Sequence, residues 1–438
     1  MSQSEIAIFW YRRDLRLFDN AGLYHALRSG LQVLPLFIFD TNILEKLSDG
    51  TDPRVSFIYQ NLLSLKQELQ KMGSDIIIKL GTPMEVWEQL VAEYTISAVY
   101  TNHDYENYAL HRDGQIAALL NQTNVPFRTY KDQVIFEKKE VLSGQETPYT
   151  VFTPYSRKWK EQCNAFYVSA YPNEKYFDRF LKTDPIEIPT LGAIGFQEHK
   201  NLFPSKTVSD SLLSSYDELR NFPSLPATSR LGVHLRFGTV SIRELAQRAL
   251  RTSNTWLNEL IWRDFYHQII ANFPHIGEGK AFRPVYDLIN WRNNETEFKA
   301  WCEGKTGYPL VDAGMRELNQ TGFMHNRVRM VTASFLTKHL LIDWRWGEAY
   351  FAEKLLDFDF AANNGGWQWA AGSGTDAAPY FRVFNPTAQA AKFDPQGEYI
   401  KKWIPELNSL EYPLPIVDHK LARERCLKVY KIALNNNP

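Results

Sequence analysis

Residues Asp357–Pro386 read DFDFAANNGGWQWAAGSGTDAAPYFRVFNP, and the interpretation of the whole chain begins there. From Phe360 to Thr375, sixteen residues pass without a charge, while acidic side chains stand on either side. The run is too apolar for an exposed loop, and its adjacent Asn and Gly pairs are unusual in a core helix. We therefore expect backbone that lies close against something flat, with amide side chains directed at hydrogen-bonding edges.

Tryptophan is concentrated around the same stretch. The chain of 438 residues contains 12 Trp, and eight of them lie within one span. A large aromatic core would account for this cluster without any functional role. The eight are Trp256, Trp262, Trp291, Trp301, Trp344, Trp346, Trp367 and Trp369.

The overall composition, 44% hydrophobic and 23% charged, is typical of a globular protein of two or three domains. Because the net charge is −1, any nucleic-acid site must be a local patch. The three Cys lie far apart without metal-ligand spacing, so we expect no metal and a reducing compartment. Neither a signal peptide nor a membrane-length apolar run is visible, and the expected location is the cytoplasm.

The first 137 residues alternate between strand and helix patterns. Apolar runs at residues 5–10, 32–39, 75–80 and 96–101 predict strands, with helical spacing between them. This alternation predicts a doubly wound, Rossmann-like parallel sheet, covered by helices on both faces, over residues 1–137. The chain has no GxGxxG and no GxxxxGK[ST] motif, so neither phosphate-binding fingerprint applies.

A charged segment, YRRDLR at residues 11–16, follows the first predicted strand. It fits a solvated loop with internal ion pairs. It also fits a functional rim at the carboxyl end of the strand, where open sheets bind ligands or meet a neighbouring domain. The sequence leaves both interpretations open.

Residues 138–210 are predicted to form a long linker wrapped over the surface, because proline punctuates them and their helical pieces are short. Residues 211–438 are predicted to form an all-α domain, because the spacing there is helical and no convincing strand is present. Aromatic side chains that can hold the linker in place are Phe152, Tyr155, Trp159, Phe166 and Tyr167.

Two segments of the helical half combine polar groups with rings. TSRLGVHLRFGT, from Thr228, suits a diphosphate, although Thr and Ser before a helix also serve as plain caps. In NELIWRDFYHQII, from Asn258, Glu259 shares a helical face with Trp262 and can pair with Arg263. A carboxyl group set among these rings is expected to have a raised pKa.

Together these stretches resemble the photolyase/cryptochrome family, most closely the bacterial (class I) DNA photolyases that repair cyclobutane pyrimidine dimers. The resemblance spans nearly the whole chain, and the family implies an N-terminal α/β domain, a long linker and a C-terminal helical domain that binds a U-shaped FAD. Besides the opening stretch, the segments that carry it are FWYRRDLRLFDN (Phe9–Asn20), TSRLG (Thr228–Gly232), ELIWRDFY (Glu259–Tyr266) and GKTGYPLVDAGMRELNQTGFMHNRVRM (Gly304–Met330).

The resemblance also implies FAD contacts. Asn363 matches the residue that faces flavin N5, where a neutral amide can accept a hydrogen bond from a protonated nitrogen. The positions that match FAD contacts are Tyr216, Thr228, Ser229, Arg230, Leu231, Gly232, Trp256, Arg329, Asp357, Asp359 and Asn363.

Three further sets of residues match functional positions of the family. The electron-transfer chain, from the flavin toward the surface, is matched by Trp367, Trp344 and Trp291. The pocket that receives the flipped dimer, with two indoles as flat walls, is matched by Glu259, Trp262, Asn326, Met330 and Trp369. The rim that holds the flanking phosphates is matched by Arg220, Arg263, Arg327, Arg382 and Gln389.

The implied reaction is light-dependent DNA repair, in which excited FADH− passes an electron to the dimer, the ring splits and the electron returns. The expected partner is UV-damaged DNA, bound by a bacterial, cytoplasmic monomer that is nucleoid-associated when on DNA and has no obligate protein partner. A second, antenna chromophore stays open as a folate, a deazaflavin or a flavin. Tyr108 and Ala109 stand where folate-binding relatives carry Asn–Glu, which argues against folate.

Two rival functions stay open as well. A cryptochrome-type light sensor without repair often adds a signalling tail, whereas this chain ends at LNNNP, just after a predicted helix at residues 419–434. A photolyase for (6–4) photoproducts typically places His at the lesion. The match at Asn326 and Met330 favours cyclobutane dimers instead.

Overall fold

The computed structural model describes residues 5–200 and 203–435, which divide into two compact units by their contacts. We call them the sheet unit and the helical unit. The sheet unit comprises the described residues within Met1–Glu137, Gln162–Thr207 and Arg230–Arg251. The helical unit comprises those within Lys138–Glu161, Val208–Ser229 and Thr252–Pro438.

A five-stranded parallel sheet forms the core of the sheet unit, with strand order 3-2-1-4-5. This confirms the predicted doubly wound architecture. Ile8 pairs with Leu34 on one side and Val99 on the other, and the central strand is buried along its length because helices cover both faces. The strands are β1 (Ile6–Tyr11), β2 (Gln32–Asp40), β3 (Ile77–Gly81), β4 (Ile96–Asn102) and β5 (Phe127–Tyr130).

Four of the five helices between the strands begin at a residue whose side chain caps them. Asn20 accepts a hydrogen bond from Leu23 N at 3.1 Å, and Thr82 forms a capping box with Glu85, with proline in the first turn. These helices are α1 (Ala21–Leu27), α2 (Thr41–Leu44), α3 (Pro53–Lys71), α4 (Pro83–Glu93) and α5 (Asn107–Gln122).

The described chain after β5 is helical, as predicted. Three short 3₁₀ segments (Asn173–Arg179, Pro274–Glu278 and Pro284–Leu288) and one π-helical segment (Phe335–Leu340) interrupt the α-helices. The α-helices are α6 (Phe152–Gln162), α7 (Ala165–Val168), α8 (Leu191–Ile194), α9 (Asp210–Leu219), α10 (Gly232–Phe237), α11 (Ile242–Thr252), α12 (Asn254–Asn272), α13 (Glu295–Cys302), α14 (Pro309–Thr321), α15 (Asn326–Ser334), α16 (Trp344–Lys354), α17 (Phe360–Ala371), α18 (Pro386–Phe393), α19 (Glu398–Trp403) and α20 (His419–Asn435).

The segment expected to be a linker is divided between the two units. Residues 138–161 and 208–210 belong to the helical unit, whereas the described residues within 162–207 belong to the sheet unit. Residues 230–251, expected within the second domain, also belong to the sheet unit. Of the aromatic side chains expected to hold this segment in place, Phe166 is 80% exposed and does not do so.

The uncharged run that we expected not to form an ordinary core helix is α17, so that expectation was wrong. Asp359 caps its start by accepting from Ala362 N, and Gly372 ends it in the left-handed conformation at φ 91°. Within the helix, Gln368 donates to Asn364 Oδ1 at 2.9 Å, one turn earlier. Tertiary packing and these local bonds outweigh the poor intrinsic helix propensity of Asn and Gly.

A buried ion network organises the sheet unit. The carboxylate of Asp132 accepts hydrogen bonds from Arg16 at 2.7 Å and from Arg243 at 2.8 Å, and Arg243 also bonds to Asp19 at 2.7 Å. All four side chains are at most 5% exposed. Burial raises the pKa of Asp132, but the two guanidinium groups lower it by more, so the net shift is downward. The network ties α11 to the loop that follows β1.

Within the described ranges, no helix is long and apolar enough to cross a membrane. The same residues hold no cluster of His, Cys, Asp or Glu that could bind a metal ion.

We expect Asp132→Asn to lower the free energy of unfolding at pH 7 by about 3–5 kcal/mol, because it leaves the buried guanidinium of Arg16 without its carboxylate partner and that of Arg243 with only Asp19. The lowered pKa makes this contribution present at neutral pH and lost as pH falls through that pKa. The difference from wild type should therefore shrink below about pH 4. Urea denaturation at several pH values measures it.

The matched control is Asp178→Asn, because Asp178 is 74% exposed in a surface pair with Arg179. A comparable loss in that variant would show that the buried network is not the cause.

Candidate functional site

α17 places its two tryptophans on nearly opposite sides, because successive residues of an α-helix turn by about 100°. Trp367 is buried and packs edge-on against Phe351 and Trp301, with ring centroids 5.0 and 6.0 Å away. Trp369 is half-buried, and its nearest ring is Phe384 at 6.4 Å. The helix therefore separates an inner indole from an outer one.

One face of α17 between these indoles is open and made of small residues. Ala362 and Gly366 are exposed, and a Cβ atom added to Gly366 would meet no atom within 4 Å. The neighbouring Gly365 faces inward, where an added Cβ would lie 2.2 Å from the Tyr266 ring. The open face leaves the backbone of α17 accessible.

Asn363 stands beside this face with its amide orientation held. Its Nδ2 donates to Glu348 of α16, to the backbone oxygen at 3.1 Å and to Oε1 at 3.0 Å. Burial raises the pKa of Glu348, although the hydrogen bond from Asn363 lowers it. The arrangement leaves Asn363 Oδ1 to accept a hydrogen bond. Sequence reasoning missed Glu348, because no pattern links residues fifteen positions apart on different helices.

Other predicted FAD contacts form an ionic group near the start of α17. Arg329 Nη2 lies 3.0 Å from the carboxylate of Asp357, and Arg329 Nε donates to the backbone oxygen of Met324 at 2.7 Å. Asp359 Oδ2 lies 3.7 Å from His267 Nε2. Paired carboxylates and a guanidinium are suited to hold the polar parts of a dinucleotide.

The remaining predicted FAD contacts are divided between the units. Tyr216 and Trp256 are buried in the helical unit, where Thr228 and Ser229 are half-buried. The sheet unit contains Arg230, Leu231 and Gly232, and α10 begins at the last of these.

Glu259 is the carboxyl group that we expected to find among aromatic rings. Burial raises its pKa, while an ion pair with Arg220 lowers it, and the net shift is upward, as predicted. The Arg220 Nη1 to Glu259 Oε1 distance is 2.5 Å. Arg220, which we assigned to the phosphate rim, therefore makes a close bond to Glu259, a role that we had offered to Arg263. Arg263 itself is half-buried on α12.

The other expected lesion wall, Trp262, has one face covered. The ring of Phe152 stacks on it at 3.7 Å with an interplanar angle of 4°, and Phe265 contacts its edge. Trp262 is half-buried overall, and the ring of Tyr266 also lies against it, with centroids 5.5 Å apart. Sequence reasoning treated Phe152 only as a linker anchor.

A local cluster of positive charge lies around α15. Burial lowers the pKa of Arg327, and the nearby guanidinium groups of Arg220 and Arg382 lower it further. Arg327 Nη2 donates to Asn221 at 2.6 Å, and its Nη1 lies 3.9 Å from the sulfur of Met330. Three residues of the predicted rim thus share one patch in a chain whose net charge is −1.

His325 caps α15 at this patch. Its Nδ1 accepts from Arg327 N at 3.1 Å. Burial lowers the pKa of His325 to about 4, aided by Arg329, Arg327 and Arg220, so the ring is neutral at physiological pH. Asn326 follows at the first helical position with an exposed side chain.

Gln389 lies on α18, where its Oε1 is buried and, among the described atoms, has no hydrogen-bond partner. The structure shows no contact that brings it to the other rim residues.

The three tryptophans of the predicted electron-transfer chain share one hydrophobic core. Trp367 and Trp344 are each 2% exposed, and half-buried Trp291 packs against the edge of that core. The guanidinium of Arg345 lies 4.8 Å above the Trp344 ring. This order, from buried to half-buried, fits the predicted direction toward the surface.

The charged loop after β1 is paired within the sheet unit. Arg13 bonds to Glu106 at 2.8 Å, and Asp14 accepts from Asn102 at 2.6 Å. At the position linked to folate, Tyr108 donates to Asp40 at 2.5 Å; burial and this bond raise the pKa of Tyr108 to about 12. The loop does form ion pairs, but with residues elsewhere in the sheet unit, and Arg13, Asp14 and Arg16 are buried rather than solvated.

Comparison with known proteins agrees with this geometry. A family model described as the FAD binding domain of DNA photolyase matches residues 256–411, and one described as DNA photolyase matches residues 7–175. A Synechococcus sp. protein named deoxyribodipyrimidine photo-lyase is 38% identical over 467 positions, covering 97% of this chain and 96% of that protein.

Two solved structures share the fold. A bacterial class III photolyase from Agrobacterium tumefaciens superposes with a TM-score of 0.86 at 32% identity, covering 100% of this chain and 99% of the other. An archaeal photolyase from Sulfolobus tokodaii, which holds two FAD molecules, gives 0.81 at 32% identity, covering 98% and 100%.

The chain therefore belongs to the photolyase/cryptochrome family. It is a flavoprotein enzyme of DNA repair with FAD as its cofactor. The site fits that cofactor: α17 offers an open face, Asn363 an oriented acceptor, and Arg329 with Asp357 a polar clamp.

Alanine at the two adjacent glycines of α17 should separate packing from cofactor binding. We expect Gly365→Ala to destabilise the helical unit by about 1–3 kcal/mol, because its Cβ would overlap the Tyr266 ring. Gly366→Ala should stabilise flavin-free protein by up to about 1 kcal/mol through helix propensity. It should nevertheless weaken FAD binding, because its methyl group occupies the open face.

Urea denaturation of flavin-free protein and fluorescence titration with FAD measure the two effects. Unchanged FAD affinity in Gly366→Ala would contradict a flavin against this face.

Proposed function

We propose that this enzyme splits cyclobutane pyrimidine dimers in UV-damaged DNA in a light-dependent reaction; its Synechococcus relative is named deoxyribodipyrimidine photo-lyase. The observation that carries the proposal is α17, with a buried Trp367 on one side, a half-buried Trp369 on the other and an open face between them. A cofactor on that face would lie between the core, where Trp367 is buried, and the surface at Trp369, where a flipped base can bind.

Bound FAD supplies the light absorption and the transferable electron. The chain's own residues hold it in place. The predicted contacts Asp357 and Arg329 form a charge-assisted clamp, and Asn363 presents an acceptor that Glu348 keeps from rotating. A neutral amide at that position adds no charge next to the flavin ring.

The lesion would be held by flat walls and a desolvated carboxyl group. Trp262 and Trp369 are both half-buried, so each offers apolar ring surface to a flipped dimer. Glu259, with its raised pKa and its bond to Arg220, can hydrogen-bond to a base edge. Asn326 presents a second amide from the start of α15, with Met330 one turn later on the same face.

The DNA backbone would bind at the cationic patch around α15. Arg220, Arg327 and Arg382 lie close enough to influence one another, and a phosphate between them would relieve their mutual repulsion. Arg263 and Gln389 are proposed to extend this rim. We expect DNA affinity to fall with salt despite the net charge of −1.

The rival functions have less support from the geometry. The histidine next to Asn326, His325, is buried and serves as a helix cap, so it does not favour the His-assisted (6–4) chemistry. A cryptochrome-type sensor would share the flavin site but would have no need of the lesion walls. The antenna, the cytoplasmic location and the monomeric state remain predictions from the sequence.

Blue-light illumination of the photoreduced protein with a thymine-dimer oligonucleotide tests the proposal. We expect light-dependent loss of dimers at the rate of catalytic turnover, measured by chromatography, and none in darkness. Absence of monomerisation with tight binding would favour the sensor, and repair only of (6–4) photoproducts would favour that class.

A second prediction separates flavin reduction from repair. Trp367→Phe should nearly abolish photoreduction of bound FAD, because a phenyl ring is much harder to oxidise than indole. Repair by chemically pre-reduced variant should remain close to wild type. Trp301→Phe is the matched control, because Trp301 is equally buried and contacts Trp367 but is outside the predicted chain.

Flavin absorbance under illumination measures the photoreduction. Equal loss in both variants, or loss of repair by pre-reduced Trp367→Phe, would contradict this division of roles.

A further inference from the structure

We propose that Phe152 is a positioning residue for lesion recognition, whose ring holds the indole of Trp262 in the plane that receives a pyrimidine dimer. The inference rests on the proposed function. It concerns a residue in the segment that the sequence suggested was only a linker.

The contact between the two rings is close and parallel. Their centroids are 3.7 Å apart and their planes differ by 4°. Phe152 is 9% exposed, whereas Trp262 is half-buried. Phe152 therefore backs one face of the indole, while Trp262 as a whole keeps part of its surface exposed.

Several contacts fix Phe152 itself within the helical unit. Farther along α6, Tyr155 packs against Phe265 at 5.2 Å, and Trp159 donates to Asp264 at 2.9 Å. Phe152, Tyr155 and Trp159 are three and four residues apart, so they form one buried face of the helix. The start of the helix is thereby anchored on α12, the helix that carries Trp262.

Hydrogen bonds from the loop after α17 and from α12 hold the segment just before α6. Asp376 N donates to the backbone oxygen of Thr150 at 3.2 Å, and Gln268 Nε2 donates to the backbone oxygen of Tyr149 at 2.8 Å. The segment just before Phe152 is thus connected to both elements proposed to carry lesion walls, α12 and the end of α17. The backing ring is part of that frame and is not a mobile side chain.

This geometry predicts an effect on lesion affinity rather than on the chemical step. An indole without backing samples several rotamers, and a lesion must then restrict it on binding. Phe152 stays behind Trp262 and does not reach the reacting atoms. Its loss should therefore weaken recognition of the dimer while leaving the rate at saturation unchanged.

The decisive variant is Phe152→Leu in the FAD-loaded enzyme, because leucine fills similar volume without a flat face. Phe152→Tyr keeps the ring and should restore wild-type behaviour. Tyr155→Leu is the matched control. It removes from the same helix a ring that packs on Phe265 rather than the ring that stacks on Trp262. If the leucine variant fails to retain FAD, Phe152→Met takes its place.

Equilibrium binding to dimer-containing and undamaged oligonucleotides, together with repair rates at saturation, measures the effect. We expect Phe152→Leu to bind the dimer about three- to tenfold more weakly, the range measured for aromatic pairs. Affinity for undamaged DNA and the saturated repair rate should stay unchanged. Phe152→Tyr should match wild type, and Tyr155→Leu, which removes one anchor of the helix but keeps the stacked ring, should weaken dimer binding less than Phe152→Leu does.

Unchanged dimer affinity in Phe152→Leu, with a wild-type enzyme that prefers and repairs dimers, would overturn this inference alone. An equal loss in Tyr155→Leu would also overturn it, since the effect would then report general packing. Wild-type enzyme without dimer preference or repair would overturn the proposed function, and this inference with it.

Discussion

The close packing of α17 between α12 and α16 is the constraint on which the candidate site depends. The Tyr266 ring of α12 lies so near the backbone of Gly365 that no side chain fits there. On the other side, Glu348 of α16 accepts both available hydrogens of the Asn363 amide, one through its backbone oxygen. These contacts on two sides hold α17 in place, so its open face needs no large side chains to anchor the helix. That is why small residues on the open face are compatible with a stable helix, although Gly and Asn disfavour helices in isolation.

Burial also shifts the pKa values of charged groups in the candidate site. Two carboxyl groups, Glu259 and Glu348, have pKa values raised by burial, and each is held by a donor, Arg220 or Asn363. The pKa of Arg327 near α15 is lowered first by burial and then by the neighbouring guanidinium groups of Arg220 and Arg382. A crowded set of cations is costly without an anion. The cost is reduced when a phosphate binds, so the arrangement favours DNA locally while the whole chain remains nearly neutral.

Much of the fold follows from sequence patterns, and the exceptions have physical causes. Apolar runs and helical spacing predicted the strands and helices of the sheet unit, and the caps at Asn20 and Thr82 that begin two of these helices act over only three residues. The helicity of α17 could not be predicted in this way, since it depends on packing against distant helices. The Glu348–Asn363 bond and the Phe152–Trp262 stack join residues with no periodic relation, so no local signal marks them. The resemblance to a family supplied residue roles that spacing alone could not.

The helical conformation of α17 is also what allows two tryptophans separated by one residue to have different roles. In a strand, residues i and i+2 point to the same face, so Trp367 and Trp369 would have lain side by side. In a helix they are turned about 200° from each other, and one enters the core while the other reaches the surface. The uncharged stretch between Asp359 and Asp376 must therefore be both helical and free of bulk on one face. Gly and Asn keep that face free of bulk but disfavour the helical conformation. Packing against α12 and α16 stabilises the helix.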